Sequence, residues 1–156
     1  MKVEEIMTRD VAACRPDDPC SEAVKLMWDN DCGIVPIVDS DRRVVGAITD
    51  RDIAIACWSR DVAPSSVRIC DTMTADVKCC CPDDSVRAAE QIMEQCQVRR
   101  LPVTDNEGRL CGILSLADIT RQSEEARGGK TGDVDPKKVV EAYAAVCHPR
   151  SQRLHS

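Results

Sequence analysis

Apolar residues along the first 120 positions follow two spacings, one helical and one extended. Two runs recur every three or four residues and predict helices: Cys20, Ala23, Val24 and Met27, then Val86, Ala89, Ile92, Met93 and Cys96. Short apolar runs between polar turns predict strands over residues 10–15, 34–38, 44–48, 76–81, 101–104 and 110–114. Further helices are expected over residues 50–59 and 116–125. The predicted order is β-α-β-β-α, written twice.

Local signals place the helix starts. Asp18 has the side chain of a good N-cap and Pro19 suits the first helical position, so a helix is expected to begin there. The matching helix is expected to begin at 84–85. Residues 3–7 and 67–73 are predicted to form short helical segments that lead into the two units.

Each half of this pattern is a copy of the other. Shifting the chain by 66 positions aligns residues 7–53 with 73–119 without a gap, and 16 of those 47 pairs are identical. A repeat of this size is usually one supersecondary unit that cannot bury its apolar face alone. We therefore expect an α+β fold of two repeats, residues 1–62 and 63–123, packed through their sheets with pseudo-two-fold symmetry. The seam between them should form two related pockets.

The character of the chain changes after Ser123. Residues 124–133 are polar and Gly-rich, which predicts a flexible linker. A helix is then expected over residues 137–146, docked on the core or on a second subunit. One side of it carries Val139, Val140, Tyr143 and Val146. Residues 148–156 are expected to fray, so 124–156 form a linker and a helical tail.

Composition excludes some classes of function. The net charge is −6 and the chain contains no Phe, one Tyr and two Trp. Nucleic acids and anionic membranes need clustered Lys and Arg, so neither is expected as a partner. No apolar run approaches the roughly 20 residues that span a bilayer. The first residues lack the apolar stretch of a signal peptide, so a cytoplasmic protein is expected.

Eleven cysteines are many for such a chain. Without a secretory signal, we expect them mainly to replace Ala or Val as small buried residues, as Cys14 and its repeat mate Cys80 illustrate. The alternative is a metal or redox site built on residues 79–81, with Cys147 and His148 nearby. Consecutive residues of a strand point to opposite faces, so three adjacent thiols cannot all bind one ion.

Both repeats end in the same short string. It runs Gly46, two apolar residues, Thr49, two variable residues, Asp52, and its mate carries Gly112, Ser115 and Asp118. A hydroxyl followed three residues later by a carboxylate resembles a capping box. A helix N-terminus also attracts phosphate, and a carboxylate one turn later can accept hydrogen bonds from a ribose diol. The string therefore predicts a helix cap, a ribose-phosphate site, or both.

These features together resemble a tandem pair of cystathionine-β-synthase (CBS) domains, the arrangement called a Bateman module. The resemblance covers roughly residues 1–122. It rests on the Met-Thr pairs, the Pro-Asp-Asp helix starts, the Pro-containing strands and the Gly-x-x-Thr/Ser-x-x-Asp endings, in order and twice. It implies adenosine-containing ligands, such as AMP, ADP, ATP, NAD or S-adenosylmethionine, in clefts between the repeats. It also implies that modules pair into a flat dimeric disk, parallel or antiparallel.

The resemblance also implies roles for individual residues. Asp52 and Asp118 would hold ribose hydroxyls, with Thr49 and Ser115 near ribose and phosphate. The phosphate candidates are the cations Arg51, Arg99 and Arg100. The residues expected beside adenine are Val11, Ala12 and Pro36, with their mates Val77, Lys78 and Pro102.

The two repeats differ in charge. Arg99 and Arg100 occupy the positions of Gly33 and Ile34, whereas Leu116 and Ala117 replace Asp50 and Arg51. The arginine pair is either an ordinary solvated pair or a phosphate ligand. We expect two unequal pockets, one of them empty or suited to a less charged ligand.

The leading hypothesis is a stand-alone regulatory sensor without catalytic activity, metal or required cofactor. Its ligand would alter an interaction with an unknown effector protein. A homodimer is expected because the helix faces that carry Ala23, Met27, Ala89 and Met93 need a cover. The alternatives are a dimeric interaction module with weak or vestigial nucleotide sites, and a cysteine-based redox or metal sensor on the same fold.

Overall fold

The computed structural model describes residues 1–127 and 134–147. Two repeats of mixed helix and strand are followed by a C-terminal helix. The helices are α1 (Cys20–Asp29), α2 (Asp50–Arg60), α3 (Val86–Cys96), α4 (Leu116–Arg127) and α5 (Pro136–Cys147). The strands are β1 (Ile34–Val38), β2 (Val44–Thr49), β3 (Arg100–Thr104) and β4 (Leu110–Ser115). Single 3-10 turns occur at Val3–Glu5, Pro64–Ser66 and Ile69–Asp71. The predicted fold class is confirmed.

Each repeat contains one antiparallel hairpin. β1 pairs with β2 so that Ile34 lies opposite Thr49, and β3 pairs with β4 so that Arg100 lies opposite Ser115. Both hairpins carry an irregularity at the same place, before Val38 and before Thr104. The strands predicted from the apolar runs therefore form almost as expected.

The first strand expected in each repeat, over residues 10–15 and 76–81, is reduced to one bridge. Cys14 N donates to the Pro36 carbonyl at 3.2 Å, and Val38 N donates to the Cys14 carbonyl at 2.9 Å. The next bond of a parallel ladder would need an N–H at position 36, which proline lacks. Pro102 limits the segment around Cys80 in the same way. Each regular sheet therefore has two strands instead of three.

The expected N-cap at Asp18 is also wrong. The α1 helix begins at Cys20 with Pro19 as its N-cap, and the Asp18 carboxylate instead accepts a hydrogen bond from Arg15 N at 2.8 Å. In the second repeat, Ser85 caps α3 by accepting from Ala88 N, close to the predicted start. The Asp18 side chain stabilises the turn before α1 instead of the helix itself, because Asp readily accepts hydrogen bonds from nearby backbone N–H groups outside helices.

The segments that lead into the two repeats are exchanged. Val3 and Met7 lie in the apolar core of the second repeat, whereas Val67 and Ile69 lie in the core of the first. Thr8 N donates to the Ile113 carbonyl at 2.9 Å. The equivalent residue of the second repeat is Thr74, and its N–H donates to the Ala47 carbonyl, also at 2.9 Å. Backbone hydrogen bonds in both directions therefore hold the repeats together.

The glycine of each ending permits this exchange. A Cβ at Gly112 would lie 2.7 Å from the Thr8 carbonyl oxygen, and a Cβ at Gly46 would lie 2.8 Å from that of Thr74. Real Cβ atoms do not approach backbone oxygens so closely, so a larger residue forces the two repeats apart.

The α5 helix packs against α3 and α4 of the second repeat. Its buried side consists of Val139, Ala142 and Val146, whereas Val140 is 68% exposed and Tyr143 is 38% exposed. The predicted helix is confirmed, but the predicted four-residue face is wrong for those two residues. From the turn of an α-helix, Tyr143 lies at the edge of the side formed by the three buried residues and Val140 lies farther around the helix.

Two expectations about the helices need correction. The α4 helix continues to Arg127, so the predicted linker does not begin at 124. The rest of that linker, 128–133, and the frayed segment 148–156 lie outside the described residues. The faces expected to need a dimer partner are already covered within the chain. Their relative exposures are at most 7%: Ala23, Met27, Ala89 and Met93. Along the described residues, no helix is long and apolar enough to cross a membrane.

Candidate functional site

A cleft of about 770 Å³ lies between the repeats. The first repeat contributes the end of β2 and the start of α2, and the second contributes residues 74–78 and the start of β3. The side chains that line it from the predicted set are Thr49, Arg51, Asp52, Val77, Lys78, Arg99, Arg100 and Pro102. Tertiary structure thus brings together residues that are up to 53 positions apart, from 49 to 102.

The Asp52 side chain uses one of its carboxylate oxygens in the N-terminal cap of α2. Its Oδ2 accepts a hydrogen bond from Thr49 N at 3.0 Å, and Thr49 Oγ1 accepts from Asp52 N at 3.1 Å. This reciprocal pair is a capping box with Asp in place of Glu. Across the described part of the chain, Asp52 Oδ1 makes no hydrogen bond or ion pair. One carboxylate oxygen caps α2, and the other is available in the cleft.

Three arginines line this same cleft, although two of them belong to the second repeat. Arg99 Nη2 donates to Cys147 Sγ at 3.6 Å, at the end of α5. Within the described ranges, the guanidinium groups of Arg51 and Arg100 have no ion-pair or hydrogen-bond partner. Lys78 is paired with Asp76 at 3.2 Å. The cleft therefore offers guanidinium donors beside the N-terminus of α2, a combination that favours an anion.

The second cleft is smaller, about 230 Å³. It is lined by Ser115, Asp118, Val11, Ala12 and Arg100, so Arg100 contributes to both clefts. Its carboxylate is fully engaged. Asp118 Oδ2 accepts from Ser115 Oγ at 2.6 Å and Ser115 N at 2.9 Å, and Oδ1 accepts from Arg121 Nη2. The clefts therefore differ in volume and in the state of their carboxylates.

One predicted contact is not formed. Pro36 is buried in β1 and is absent from the lining of the second cleft, where Ile34 and Val35 lie instead. Pro36 shares a strand face with Ile34 but lies farther along β1, where it is buried, whereas Ile34 at the start of the strand is partly exposed. Its mate Pro102 does line the large cleft.

Sequence reasoning missed several lining residues. The clearest are Thr8 in the small cleft and Thr74 in the large one. The repeated Met-Thr pair was a signal, but it did not reveal that each threonine crosses to the other repeat. Asn30 and Asp50 also line the clefts.

The cysteines behave mainly as core residues. Cys14 and Cys80 are 3% exposed, and burial raises their pKa to about 11 and about 12 respectively. Burial also raises the pKa of Cys79 and Cys81, so these thiols carry little of the reactive thiolate at neutral pH. Among the described residues, no group of three or more His, Cys, Asp or Glu is placed to hold a metal ion. His148 lies outside the described residues.

Comparison with known proteins agrees with this architecture. The profile of the CBS domain matches the chain twice, over residues 3–59 and 67–125. The chain belongs to the CBS domain family. It contains two CBS repeats in tandem, and each match coincides with one hairpin and its flanking helices.

One similar protein is an inosine-5'-monophosphate dehydrogenase from Methanocaldococcus jannaschii, 32% identical over 148 residues. The alignment covers 95% of this chain but only 28% of that enzyme. The chain thus corresponds to a minor part of the enzyme. A structure described as a signal-transduction protein with CBS domains, from Burkholderia ambifaria, is 25% identical and has a TM-score of 0.70, over 86% of this chain and 100% of that one.

Two solved structures are informative. Hypoxic Response Protein I, crystallised with two coordinated zinc ions, has a TM-score of 0.70 and 30% identity, over 78% of this chain and 98% of that one. The CBS domain pair of protein MJ0100, in complex with 5'-methylthioadenosine and S-adenosyl-L-methionine, also has a TM-score of 0.70. It is 26% identical, over 83% of this chain and 98% of that one. CBS pairs of this fold therefore include adenosine-ligand binders.

Proposed function

We propose that this CBS pair is a non-enzymatic regulatory module that binds an adenine nucleotide in the large cleft. The main support is that Asp52 lines this cleft together with three arginines from the two repeats, and that its Oδ1 makes no hydrogen bond within the described residues. The cleft volume of about 770 Å³ also lies within the range of small-molecule sites, roughly 300–1,000 Å³. The adenosine ligands of the MJ0100 pair support the same ligand class.

Each part of a nucleotide has a complementary group in this cleft. Asp52 Oδ1 accepts a hydrogen bond from a ribose hydroxyl, while Oδ2 keeps capping α2. Phosphate lies near the α2 N-terminus and receives hydrogen bonds from Arg51 and Arg100. The adenine ring packs against Val77 and Pro102. Lys78 and Arg99 complete the proposed site.

The small cleft is proposed to bind a less charged ligand, weakly or not at all. Asp118 already accepts hydrogen bonds on both of its oxygens, so a ribose would have to displace Arg121 or share an oxygen. Its volume of about 230 Å³ is below the usual range for such sites. Ser115, Val11 and Ala12 would contact any ligand that enters.

The biological role follows from ligand binding between the repeats. Because both repeats contribute groups to one cleft, a ligand changes the free energy of their relative arrangement. We propose that this change alters contact with an effector protein in the cytoplasm. The chain acts as a homodimer in this proposal, and the nucleotide is a regulatory ligand, not a cofactor.

Isothermal titration calorimetry with adenosine, AMP, ATP and S-adenosylmethionine tests the proposal. We expect AMP or ATP to bind, and Asp52→Asn to weaken that binding about tenfold or more, which is about 1.4 kcal/mol. Asp61→Asn is the matched control. It makes the same change at the other end of α2, roughly 13 Å away along the helix, and should leave affinity unchanged.

Two other functions predict different results. An interaction module with vestigial sites binds none of these ligands, and Asp52→Asn then changes nothing. A zinc or redox sensor responds to zinc or peroxide instead. Zinc is included among the tested ligands because Hypoxic Response Protein I was crystallised with two coordinated zinc ions. A thermal-shift panel separates these cases, because a ligand at one hundred times its Kd adds about 2.7 kcal/mol to stability.

A further inference from the structure

A cavity of about 230 Å³ lies between the start of α3 and the start of α5, and is called the α5 cavity. Its chemistry comes from two valines and four charged residues: Val86, Val134, Arg87, Glu90, Asp135 and Lys138. The residues that line it line neither of the two clefts between the repeats. The α5 cavity is therefore separate from the proposed nucleotide site.

Glu90 places a buried carboxylate in the wall of this cavity. The residue is 3% exposed, and its Oε2 accepts a hydrogen bond from Arg87 Nη1 at 3.1 Å. Its Oε1 is buried and has no hydrogen-bond partner within the described part of the chain. Such an oxygen is costly, because it has lost its hydration without a replacement. The terminal torsion of Glu is broad, so a small rotation lets this carboxylate accept a hydrogen bond from a group in the cavity.

The internal repeat shows that the fold does not require a carboxylate at this position. The equivalent residue of the first repeat is Val24, which is 41% exposed. The second repeat thus carries the charged residue at the position that α5 covers, and the first repeat carries the apolar residue at the open one. Burying Val instead of Glu90 would avoid the cost of desolvating a charge. Departures of this kind from efficient packing are expected at functional sites.

Lys138 lines the same cavity from the α5 side. It is exposed, and within the described ranges its ammonium group makes no ion pair or hydrogen bond. Burial raises the pKa of Glu90, and Arg87 and, more weakly, Lys138 oppose that rise. Arg87 is already engaged, because it also donates to Glu94 Oε1 at 3.4 Å. A molecule in the cavity therefore meets a hydrogen-bond acceptor on α3 and an unpaired cation on α5.

Charge and volume narrow the class of ligand. Two cations, Arg87 and Lys138, and two carboxylates, Glu90 and Asp135, line the cavity. This balance favours a ligand that carries both signs and no net charge. The volume equals that of roughly eight water molecules at about 30 Å³ each, which suits a molecule of roughly five to ten non-hydrogen atoms and is too small for a nucleotide.

We propose that the α5 cavity binds a small aliphatic amino acid. The ammonium group of the ligand donates to the Glu90 carboxylate, and the carboxylate of the ligand pairs with Lys138. Its side chain packs against the buried residues Val86 and Val134. A ligand in this position contacts α3 and α5 together, so its binding stabilises the docked position of α5. This site adds a second small-molecule input to the protein and does not depend on nucleotide binding.

Calorimetry on the full chain with glycine, L-alanine, L-valine and L-leucine tests the site. Ethylamine and propionate are the two halves of alanine, since the first lacks the carboxylate and the second lacks the ammonium group. Propionate should bind at least tenfold more weakly than alanine, because it cannot donate to the buried carboxylate. Ethylamine should bind about threefold more weakly or worse, because an exposed Lys138 pairs less strongly. Absence of binding by all four amino acids, or equal affinity for alanine and propionate, would overturn the proposal.

Two variants assign the groups. Glu90→Gln keeps the shape of the side chain, and should weaken alanine about tenfold or more. Lys138→Gln changes an exposed residue, so folding is not at risk, and it should weaken alanine but not ethylamine. Glu22→Gln and Lys25→Gln make the same changes at exposed positions of α1 and should leave both affinities unchanged. An unchanged affinity in Glu90→Gln, or equal losses of alanine and ethylamine in Lys138→Gln, would contradict the assigned contacts.

The same variants separate this site from the nucleotide site. Because Glu90 and Lys138 line neither cleft, AMP should bind Glu90→Gln and Lys138→Gln as it binds the wild type. Asp52→Asn should conversely leave the affinity for alanine unchanged. Parallel losses of AMP and alanine in any of these variants would show that the two ligands do not have separate sites.

Discussion

Arg121 forms an ion pair with Asp118, the carboxylate that the second repeat places where the first places Asp52. The first repeat has Ile55 at the position of Arg121, so Asp52 has no such partner. One substitution between the repeats therefore gives the two related clefts different carboxylates. The Asp118 side chain is 8% exposed, whereas the Arg121 side chain is 71% exposed.

Removing Arg121 should make the second cleft more receptive to ligand. In Arg121→Ala, Asp118 Oδ1 becomes available for a ribose hydroxyl, so calorimetry should show a second, weak binding event for adenosine. Stability should change by less than about 1 kcal/mol, because the arginine is largely exposed. Lys25→Ala, an exposed cation outside both clefts, is the control. An unchanged stoichiometry would mean that the ion pair does not close the site.

Arg100 should discriminate phosphorylated from unphosphorylated ligands. Arg100→Ala is expected to weaken AMP or ATP by a factor of ten or more, since a hydrogen bond to a charged group contributes about 1.5–3 kcal/mol. Adenosine affinity should change little. The measurement is the ratio of the two affinities in each variant, with Lys25→Ala again as control. Equal losses for both ligands would show that Arg100 does not contact phosphate.

The glycines of the two endings should be intolerant of a side chain. Gly112→Ala and Gly46→Ala place a Cβ against the Thr8 and Thr74 carbonyls, so the free energy of unfolding should fall by about 1–3 kcal/mol in urea. Gly33→Ala is the control, because its nearest contact is the carboxylate of Asp50, which can move. Similar losses in all three variants would contradict the role assigned to the exchanged segments.

Glu90 should make stability depend on pH. Burial beneath α5 raises its pKa, with Arg87 opposing that shift and Glu94 and Lys138 also acting on it. The folded state therefore binds a proton more readily than the unfolded state. Between the ordinary pKa of Glu and the raised value, this carboxyl makes the protein less stable as pH rises.

The variant Glu90→Gln isolates this effect. The unfolding free energy of the wild type relative to the variant should increase as pH falls from neutral through that window. Denaturant melts at several pH values measure this difference, and Glu22→Gln, at an exposed carboxylate of α1 in the other repeat, is the control. A difference that is constant with pH would show that Glu90 does not titrate in this range.

Much of this fold could be predicted from local patterns. The bounds of β1 and the extent of α2 follow from apolar runs and from the capping hydroxyl of Thr49, and these depend on neighbours in sequence. The repeat also predicted that two units pack together. Helix starts were harder to predict, because a carboxylate such as that of Asp18 can accept a hydrogen bond from a turn as well as from a helix N-terminus, and here it accepts from Arg15 N.

The sequence by itself determined that two equivalent units exist, which residues end each unit and that their charges differ. Tertiary structure decided what those residues meet. It exchanged the leading segments, gathered Arg51, Arg99 and Arg100 into one cleft and placed α5 over the second repeat only. The physical reason is that periodicity and capping act over a few residues. Cleft volume and the cover of an apolar face depend on residues that are distant in sequence and meet only in the folded chain.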